Sequence, residues 1–302
     1  MSGGRMNMER KLGNILGSRL KLNEPMGKHT TIGVGGRARF LALPRSAREV
    51  ISVIELARST RARFLVIGRG SNLIVRDGGF DGLIVKLGGN FAGVKVNART
   101  VSAQAGASLS GLASRMVALG RTGLEFAVGI PGSVGGAVWM NAGAYGGEIA
   151  HVLCRMTVID ARGAVRTVRP MMGGFTYRTS NLEPGSTVLT ASFQCPPGAV
   201  NRKMLRLSRN RKKTQPLGFR SFGCSFVNPP GEHAGRLIER SGLKGKRIGG
   251  AVISDKHANF ILNVGPDTKT SDIEALMRLA RREVRKQFGI VLRPEVVIIG
   301  NT

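Results

Sequence analysis

Residues 129–148 read GIPGSVGGAVWMNAGAYGGE. Seven of them are glycine, at 129, 132, 135, 136, 143, 146 and 147. That density argues against any regular element, because a glycine inside a helix or strand costs about 0.5–1 kcal/mol relative to alanine. Ile130, Val134, Val138, Trp139 and Met140 make the stretch too apolar for a linker. Two readings remain. One is a set of tight turns in a β-rich domain. The other is backbone laid open against a large, flat, phosphate-bearing cofactor. Ser133, Asn141 and Tyr145, together with apolar residues out of place in a surface loop, favour the second.

A smaller glycine turn lies upstream, in VIGRGSNLIV (66–75). It follows the apolar run RFLVIG (63–68), which reads as a buried strand ended by glycine. Successive N–H groups in such a turn form an anion-binding nest. Arg69 adds charge, and Ser71 and Asn72 add side-chain donors. The turn is neither GxGxxG nor a Walker A sequence, and a plain tight turn uses similar residues. Upstream, Ser46 and Glu49 predict a capping box, and Val50, Val53, Ile54 and Ala57 recur at helical spacing over 47–57. LIVKL (83–87) reads as a further strand, so this region is a small α/β lobe.

From about 92 to 198 the pattern changes to short antiparallel strands, such as VSAQAG, RMTVIDARGAVRTV and TVLTASF, with one helix over 109–120 ended by Gly120. The last third carries a basic helical segment (202–213) and a short helix (234–242). A long helix is predicted from Ser271 to Phe288, with Ser271 and Glu274 as its capping box. VVIIG (296–300) closes the chain as a buried strand.

The 302 residues suffice for two or three domains. The three cysteines (154, 195, 224) show no pairing pattern, and the four histidines (29, 151, 233, 257) show no metal spacing. No secretory signal and no apolar run of membrane length is present, so a cytoplasmic setting is expected. The formal net charge of +28 attracts anions. Nucleic acid is not the favoured partner, because the cations are spread along the chain and aromatics make up only 5%. The densest clusters, RLSRNRKK (206–213) and RLARREVRK (278–286), read as solvated helix faces.

Three polar features stand apart. FTYRTS (175–180) sets Tyr177 beside Arg178, and such an arginine can grip a carboxylate bidentately. Glu295 leads an apolar run, where a carboxylate needs a partner or a role. SFGCSFVNPPGEHAG (221–235) places Cys224 between Gly223 and Ser225, just before Phe226 and Asn228-Pro229. By residue type alone, Cys224 fits a core filler, a metal ligand, a redox thiol or a catalytic group.

Several blocks, in order, resemble the UDP-N-acetylenolpyruvoylglucosamine reductase (MurB) family of flavoenzymes. They are HTTIGVGGRARF (29–40), IGRGSNLIVRDGGFDGLIV (67–85), the stretch 105–149, YRTS (177–180), QPLGFRSFGCSFVNP (215–229), GLKGKRIGGAVISDKHANFILN (242–263) and LRPEVVIIG (292–300). The resemblance implies an α+β chain: a two-lobed FAD-binding fold of the vanillyl-alcohol-oxidase/PCMH type, followed by an α+β substrate-binding domain. The expected boundaries are a basic N-terminal extension (1–21), lobe 1 (22–91), lobe 2 (92–198) and the substrate domain (199–302). It implies bound FAD, held by Gly68, Arg69, Gly70, Ser71 and Asn72 and by Gly129, Pro131, Gly132, Ser133, Gly135, Gly136, Asn141, Gly143, Ala144, Gly147 and Glu148.

The implied reaction has two stages. NADPH reduces the flavin, and flavin N5 then gives hydride to enolpyruvyl C3 of UDP-N-acetylglucosamine enolpyruvate. The enolate left at C2 must be stabilised and protonated. Arg178 matches the family's active-site arginine and Glu295 its active-site glutamate. Cys224 falls at the position of the proton donor, with Ser225 the competing donor if the register shifts by one. A thiol with a reference pKa of about 8.5 is mostly protonated near neutrality, so activity should fall on the alkaline side as it ionises. Tyr177, Lys212, Asn228 and His257 are the implied substrate contacts. Val227 stands where the family often has lysine, so the phosphates need other cations, such as Lys212 or Lys213. About 45 residues separate Arg178 from Cys224, so the chain resembles the family's shorter (type II) form; a monomer is expected separately. The competing expectations are another FAD-dependent oxidoreductase of the same fold, or a non-enzymatic anion- or nucleic-acid-binding protein.

Overall fold

A computed structural model describes residues 3–170 and 173–302, with the side chains of 3–7 and 212 outside the described set. The chain opens with α1 (Gly3–Leu16), β1 (Leu20–Pro25) and β2 (Arg37–Ala42). α2 (Ala47–Ser59) leads into β3 (Phe64–Ile67), β4 (Leu73–Val75) and β5 (Phe80–Lys86). β6 (Val94–Val96), β7 (Thr100–Gln104), α3 (Leu109–Ala118) and α4 (Val134–Trp139) follow. Next come β8 (Gly143–Ala144), β9 (Gly147–Glu148), β10 (Leu153–Ile159), β11 (Val165–Val168) and β12 (Thr187–Gln194). The last third holds α5 (Arg202–Arg209), α6 (Arg211–Thr214), β13 (Arg220–Cys224) and α7 (Ala234–Arg240). It ends with β14 (Arg247–Ile248), β15 (Ala251–Ile253), β16 (Phe260–Asn263), α8 (Thr270–Phe288) and β17 (Val297–Ile299). Among the described residues no helix is long and apolar enough to cross a membrane.

The chain divides into two units. Unit 1 holds the residues up to Leu22, Phe40–Arg69 and Gly82–Asn210; unit 2 holds Asn23–Arg39, Gly70–Asp81 and Arg211–Thr302. Each has its own apolar core. These units cut across the expected segments 22–91, 92–198 and 199–302. The expected boundaries followed shifts in local pattern, whereas unit membership is set by contacts distant in sequence.

In unit 1, β3 and β5 are parallel, with Ile67 opposite Lys86. The antiparallel sheet β11-β10-β12-β7-β6 forms the second layer of strands. Met8, Leu12 and Leu16 of α1 are buried in one core with Val50, Val53, Ile54 and Ala57 of α2. The expected N-terminal extension is therefore a core helix from Gly3 onward. Its charges drew attention in the sequence, but the i, i+4, i+8 row of Met8, Leu12 and Leu16 decides where it goes. Ser46 caps α2 by accepting from Glu49 N at 3.2 Å. The Glu49 carboxylate accepts from Arg45 N at 2.7 Å and pairs with Arg19, instead of closing the expected box on Ser46.

α4 corrects the reading of 129–148 as free of regular structure. Ser133 Oγ accepts from Gly136 N at 3.3 Å, and Val134, Ala137 and Val138 are buried. Burial of that face outweighs the helix penalty of Gly135 and Gly136. A Cβ on Gly135 would lie 2.7 Å from Ala105 Cβ, so close packing is what requires glycine there. The remainder of the stretch is a two-residue hairpin. β8 and β9 pair Gly143 with Glu148, and Tyr145 (φ 56°) and Gly146 (φ 84°) supply the turn.

In unit 2, β13-β16-β15-β14 form an antiparallel sheet, and β4 and β17 a parallel pair with Ile74 opposite Ile298. α8 buries Ile273, Leu276, Met277, Ala280 and Val284, and Gly289 ends it at φ 69°. The helix starts one residue before the expected Ser271, after Lys269. Asp272, not Glu274, reaches back to the cap N–H, at 3.1 Å from Lys269 N. The Asp77 carboxylate takes Thr270 N and Ser271 N at 2.9 and 3.0 Å, and Glu274 is bonded to Arg76. β17 is not the buried strand expected: it pairs with β4 alone, and Val297 is exposed.

Candidate active site

Unit 1 brings the two glycine segments together. A Cβ on Gly68, at the end of β3, would lie 1.9 Å from Ser133 Oγ. Gly129 (φ 85°) and Gly132 (φ 129°) take backbone conformations that L side chains rarely adopt. Gly129 N donates to Ser110 Oγ at 2.9 Å, and Leu109 N donates to Gly132 O at 3.2 Å, which fixes the loop on the start of α3. Pro131 and Gly136 are exposed.

Lys86 is the residue that the sequence reading missed here. It was counted inside a buried strand, and that lysine in an apolar run was the available signal. Burial pushes its ammonium below the ordinary lysine range, and the charge of Arg69 pushes it further down. A cation drawn out of water beside a second cation makes an anion favourable between them. FAD carries a pyrophosphate, and this donor set fits it: Arg69, Lys86 and the backbone at Gly132.

Asn141 has a different task from the one expected. It is fully buried at φ 42°; its Nδ2 donates to Thr176 O at 3.0 Å and its Oδ1 accepts from Ala150 N at 3.0 Å. Its amide is committed to the protein and anchors the segment that carries Tyr177 and Arg178. Gly147 packs flat on Phe126, and a Cβ on Gly143 would meet Gly147 O at 2.7 Å. Glycine at these two positions is required by the hairpin itself. Ala144 and Glu148 are its partly buried flanks.

Thr176 and Thr179 exchange both backbone hydrogen bonds at 3.0 Å, closing a tight turn over Tyr177-Arg178. Arg178 sits at φ 60°, an uncommon place for an arginine, and its guanidinium lies 5.1 Å from the Tyr177 ring centroid. Tyr177 is exposed and Arg178 half-buried. The turn thus presents a delocalised cation and an aromatic face together.

Unit 2 gathers the rest. Gly70 (φ 64°) presses on the backbone of His29: a Cβ there would lie 2.2 Å from His29 O. Asn72 Nδ2 donates to Glu295 O at 3.0 Å, and Val297 N donates to Asn72 O at 3.1 Å. Ser71 is partly buried in the same turn. The expected cofactor turn 68–72 is therefore divided, with Gly68 and Arg69 in unit 1 and Gly70, Ser71 and Asn72 in unit 2.

Cys224 ends β13 opposite Phe260, after a register shift and after Gly223 at φ 83°. A bulge of this kind re-aims a side chain at a strand end. Cys224 is half-buried, whereas Ser225 is buried and its Oγ has no hydrogen-bond partner. Ser225 is held on both sides: its N donates to Asn259 O at 2.7 Å, and its O accepts from Glu295 N at 2.9 Å. Glu295 is thereby one backbone hydrogen bond from the residue that follows Cys224. Asn259, absent from the expected residues, binds Phe226 N and Phe226 O through its side chain at 3.0 and 2.8 Å. A buried asparagine beside the apolar run FIL was its only sequence signal.

Asn228 Oδ1 accepts from Ala234 N at 3.0 Å and so caps α7. His257 Nδ1 accepts from Asn259 N at 3.3 Å, and its ring meets Phe260 edge-on at 4.9 Å. Burial holds its imidazole below the usual histidine range. Lys212 lies in α6, and its side chain is outside the described set. All three cysteines are free thiols.

Known proteins match this chain over both of its halves. The FAD binding domain family matches residues 38–169, and the UDP-N-acetylenolpyruvoylglucosamine reductase C-terminal domain family matches 215–299. The UDP-N-acetylenolpyruvoylglucosamine reductase of Streptococcus thermophilus is 42% identical over 294 residues, covering 95% of each chain. That of Caldicellulosiruptor bescii is 41% identical over 285 residues, covering 92% of this chain and 90% of the relative. The crystal structure of UDP-N-acetylenolpyruvylglucosamine reductase (MurB) from Thermus caldophilus superposes with a TM-score of 0.78 at 35% identity, covering 92% of this chain and 97% of that one. Wild-type Phl p 4.0202, a glucose dehydrogenase, shares the fold alone, with a TM-score of 0.51 at 13% identity over 92% of this chain and 58% of that one. At these identities and coverages the chain belongs to the UDP-N-acetylenolpyruvoylglucosamine reductase family.

Proposed function

We propose that Cys224 protonates, and Arg178 and Glu295 support, the reaction of this family. The chain is an FAD-dependent oxidoreductase of peptidoglycan precursor synthesis that reduces UDP-N-acetylglucosamine enolpyruvate with NADPH. FAD, when bound, carries the electron pair between the two substrates. Arg69, Lys86 and the loops at 129–136 are our assignment for its pyrophosphate, with Gly70–Asn72 completing the motif.

The residues then have separable tasks. Reduction at the enolpyruvyl C3 leaves negative charge spread from C2 onto the substrate carboxylate. Arg178, fixed in its left-handed turn, supplies a delocalised cation for that charge. Cys224 Sγ–H delivers the proton to C2, and the proton is later regained from water. Glu295, tied to Asn72 and Ser225 through its backbone, holds the substrate carboxylate region in its own protonated form or tunes the donor. Tyr177, Lys212, Asn228 and His257 are assigned to the nucleotide-sugar. We further place the chain in the cytoplasm as a monomer, so sedimentation should return the mass of one chain.

One observation carries the donor assignment. The strand turns the Cys224 thiol toward the accessible side and the Ser225 hydroxyl into the core. Stopped-flow absorbance tests it. Cys224→Ala should be reduced by NADPH at the wild-type rate yet be reoxidised by the enolpyruvyl substrate about 10²-fold more slowly or worse. Ser225→Ala should leave both half-reactions in place. Full turnover by Cys224→Ala overturns the assignment.

A further inference from the structure

The second half of α8 concentrates cations on one recess of unit 2. Arg281 and Arg285 stand four residues apart, as do Arg282 and Lys286, so each pair is stacked one turn above the other. With Val291 these four residues line a recess of 560 Å³. All five are exposed. Arg282 is bonded to Glu283 at 2.9 Å. Among the described residues, Arg281, Arg285 and Lys286 have no carboxylate partner. The other acids of α8 are engaged at its start, Asp272 on Lys269 N and Glu274 on Arg76. Arg240 of α7 approaches the same end, 4.9 Å over the Phe288 ring.

A bare solvated face does not explain this placement. The helix dipole favours Arg285 and Lys286 in the last turn, but its effect fades before Arg281 and Arg282. Like charges four residues apart repel, and Glu283 offsets only Arg282 among the four. An anion offsets the others. The volume lies within the roughly 300–1,000 Å³ of small-molecule sites. The lining offers no aromatic platform and only one aliphatic side chain, so neither a base nor an acyl chain is recognised. Guanidinium groups grip phosphate oxygens bidentately. The small recess and the missing stacking partners disfavour a nucleic-acid strand.

We propose that this recess binds two or more contiguous phosphate groups, as found in a nucleoside triphosphate or in inorganic polyphosphate. The site goes beyond the reductase reaction and uses none of its residues.

The test is calorimetric titration of full-length, FAD-loaded protein with inorganic tripolyphosphate at about 0.1 M salt, where surface charges are already screened. One saturable site is expected. Arg281→Gln/Arg285→Gln should bind about tenfold more weakly or worse, with flavin content and NADPH turnover unchanged. If the double variant loses its flavin, Arg281→Gln alone takes its place. A nucleoside triphosphate should match tripolyphosphate if phosphates alone are read. Binding of the nucleotide without tripolyphosphate binding overturns the proposal. So do the absence of a saturable site and equal affinity in the variant. Single-stranded RNA or anionic vesicles that bind through these arginines, and that tripolyphosphate does not displace, would overturn it in favour of an extended polyanion.

Discussion

Cys224 could be proposed from the sequence because the resemblance aligns Asn228-Pro229 with the family's donor block; Lys86 and Asn259 had no such marker. Their importance comes from what the fold places beside them: Arg69 beside Lys86, and the Phe226 backbone around Asn259. Lys86→Met should raise the FAD dissociation constant about tenfold, the worth of one charge-assisted hydrogen bond. Titration of flavin-free protein followed by flavin fluorescence measures it directly, and an unchanged constant would remove Lys86 from the cofactor site. His257 makes a prediction about pH. Burial, the largest cause, and then the charge of Lys244 lower the pKa of its imidazole in the folded chain. The unfolded chain takes up that proton below about pH 6.5. It therefore binds more protons than the native state, and stability falls as pH drops from about 6.5 toward the depressed native value. His257→Gln cannot ionise and should flatten that slope in urea melts. An identical slope in wild type and variant would show that another group titrates.

At the level of elements, helices and strands were legible wherever one periodic face met a clear end signal. The span of α2, the β10–β11 hairpin and the Gly289 stop of α8 fall where pattern placed them. α4 was not legible, since its glycines argue against a helix and only burial of Val134, Ala137 and Val138 overrules them. The cap of α8 was misread for a related reason: Asp77, far away in sequence, supplies acceptors that local pattern cannot show. The contact between Gly68 and Ser133 joins two such distant segments and can be tested as a pair. Gly68→Ala drives a Cβ into Ser133 Oγ and should cost about 1–3 kcal/mol as an overpacking change. Ser133→Gly alone costs only a few tenths of a kcal/mol at an N-cap. In the double variant the clash is gone, so the two costs should fail to add. A double-mutant cycle from denaturant midpoints reads the coupling, and additivity within about 0.5 kcal/mol would deny the contact.

For the molecule as a whole, sequence pattern suggested consecutive segments, whereas the chain builds each of two units from three separate segments. No local signal marks such returns, because unit membership is set by contacts distant in sequence. The N-terminal stretch shows the consequence. Read along the chain, Arg10 and Lys11 make it a charged extension of a protein already at +28. In the folded unit, Leu12 is fully buried between Met8 and Leu16, whereas Arg10 and Lys11 face solvent. The charges should therefore be dispensable and the apolar row should not. Arg10→Gln should change unfolding free energy by no more than about 0.5 kcal/mol. Leu12→Ala should cost about 2–5 kcal/mol, the range for truncating a buried leucine, and unit 1 should release FAD at a lower temperature. Urea unfolding followed by flavin fluorescence reports both quantities in one experiment. A Leu12→Ala protein as stable as wild type would return the first helix to the role of an appendage; the expected loss makes it part of the scaffold on which the cofactor loops stand.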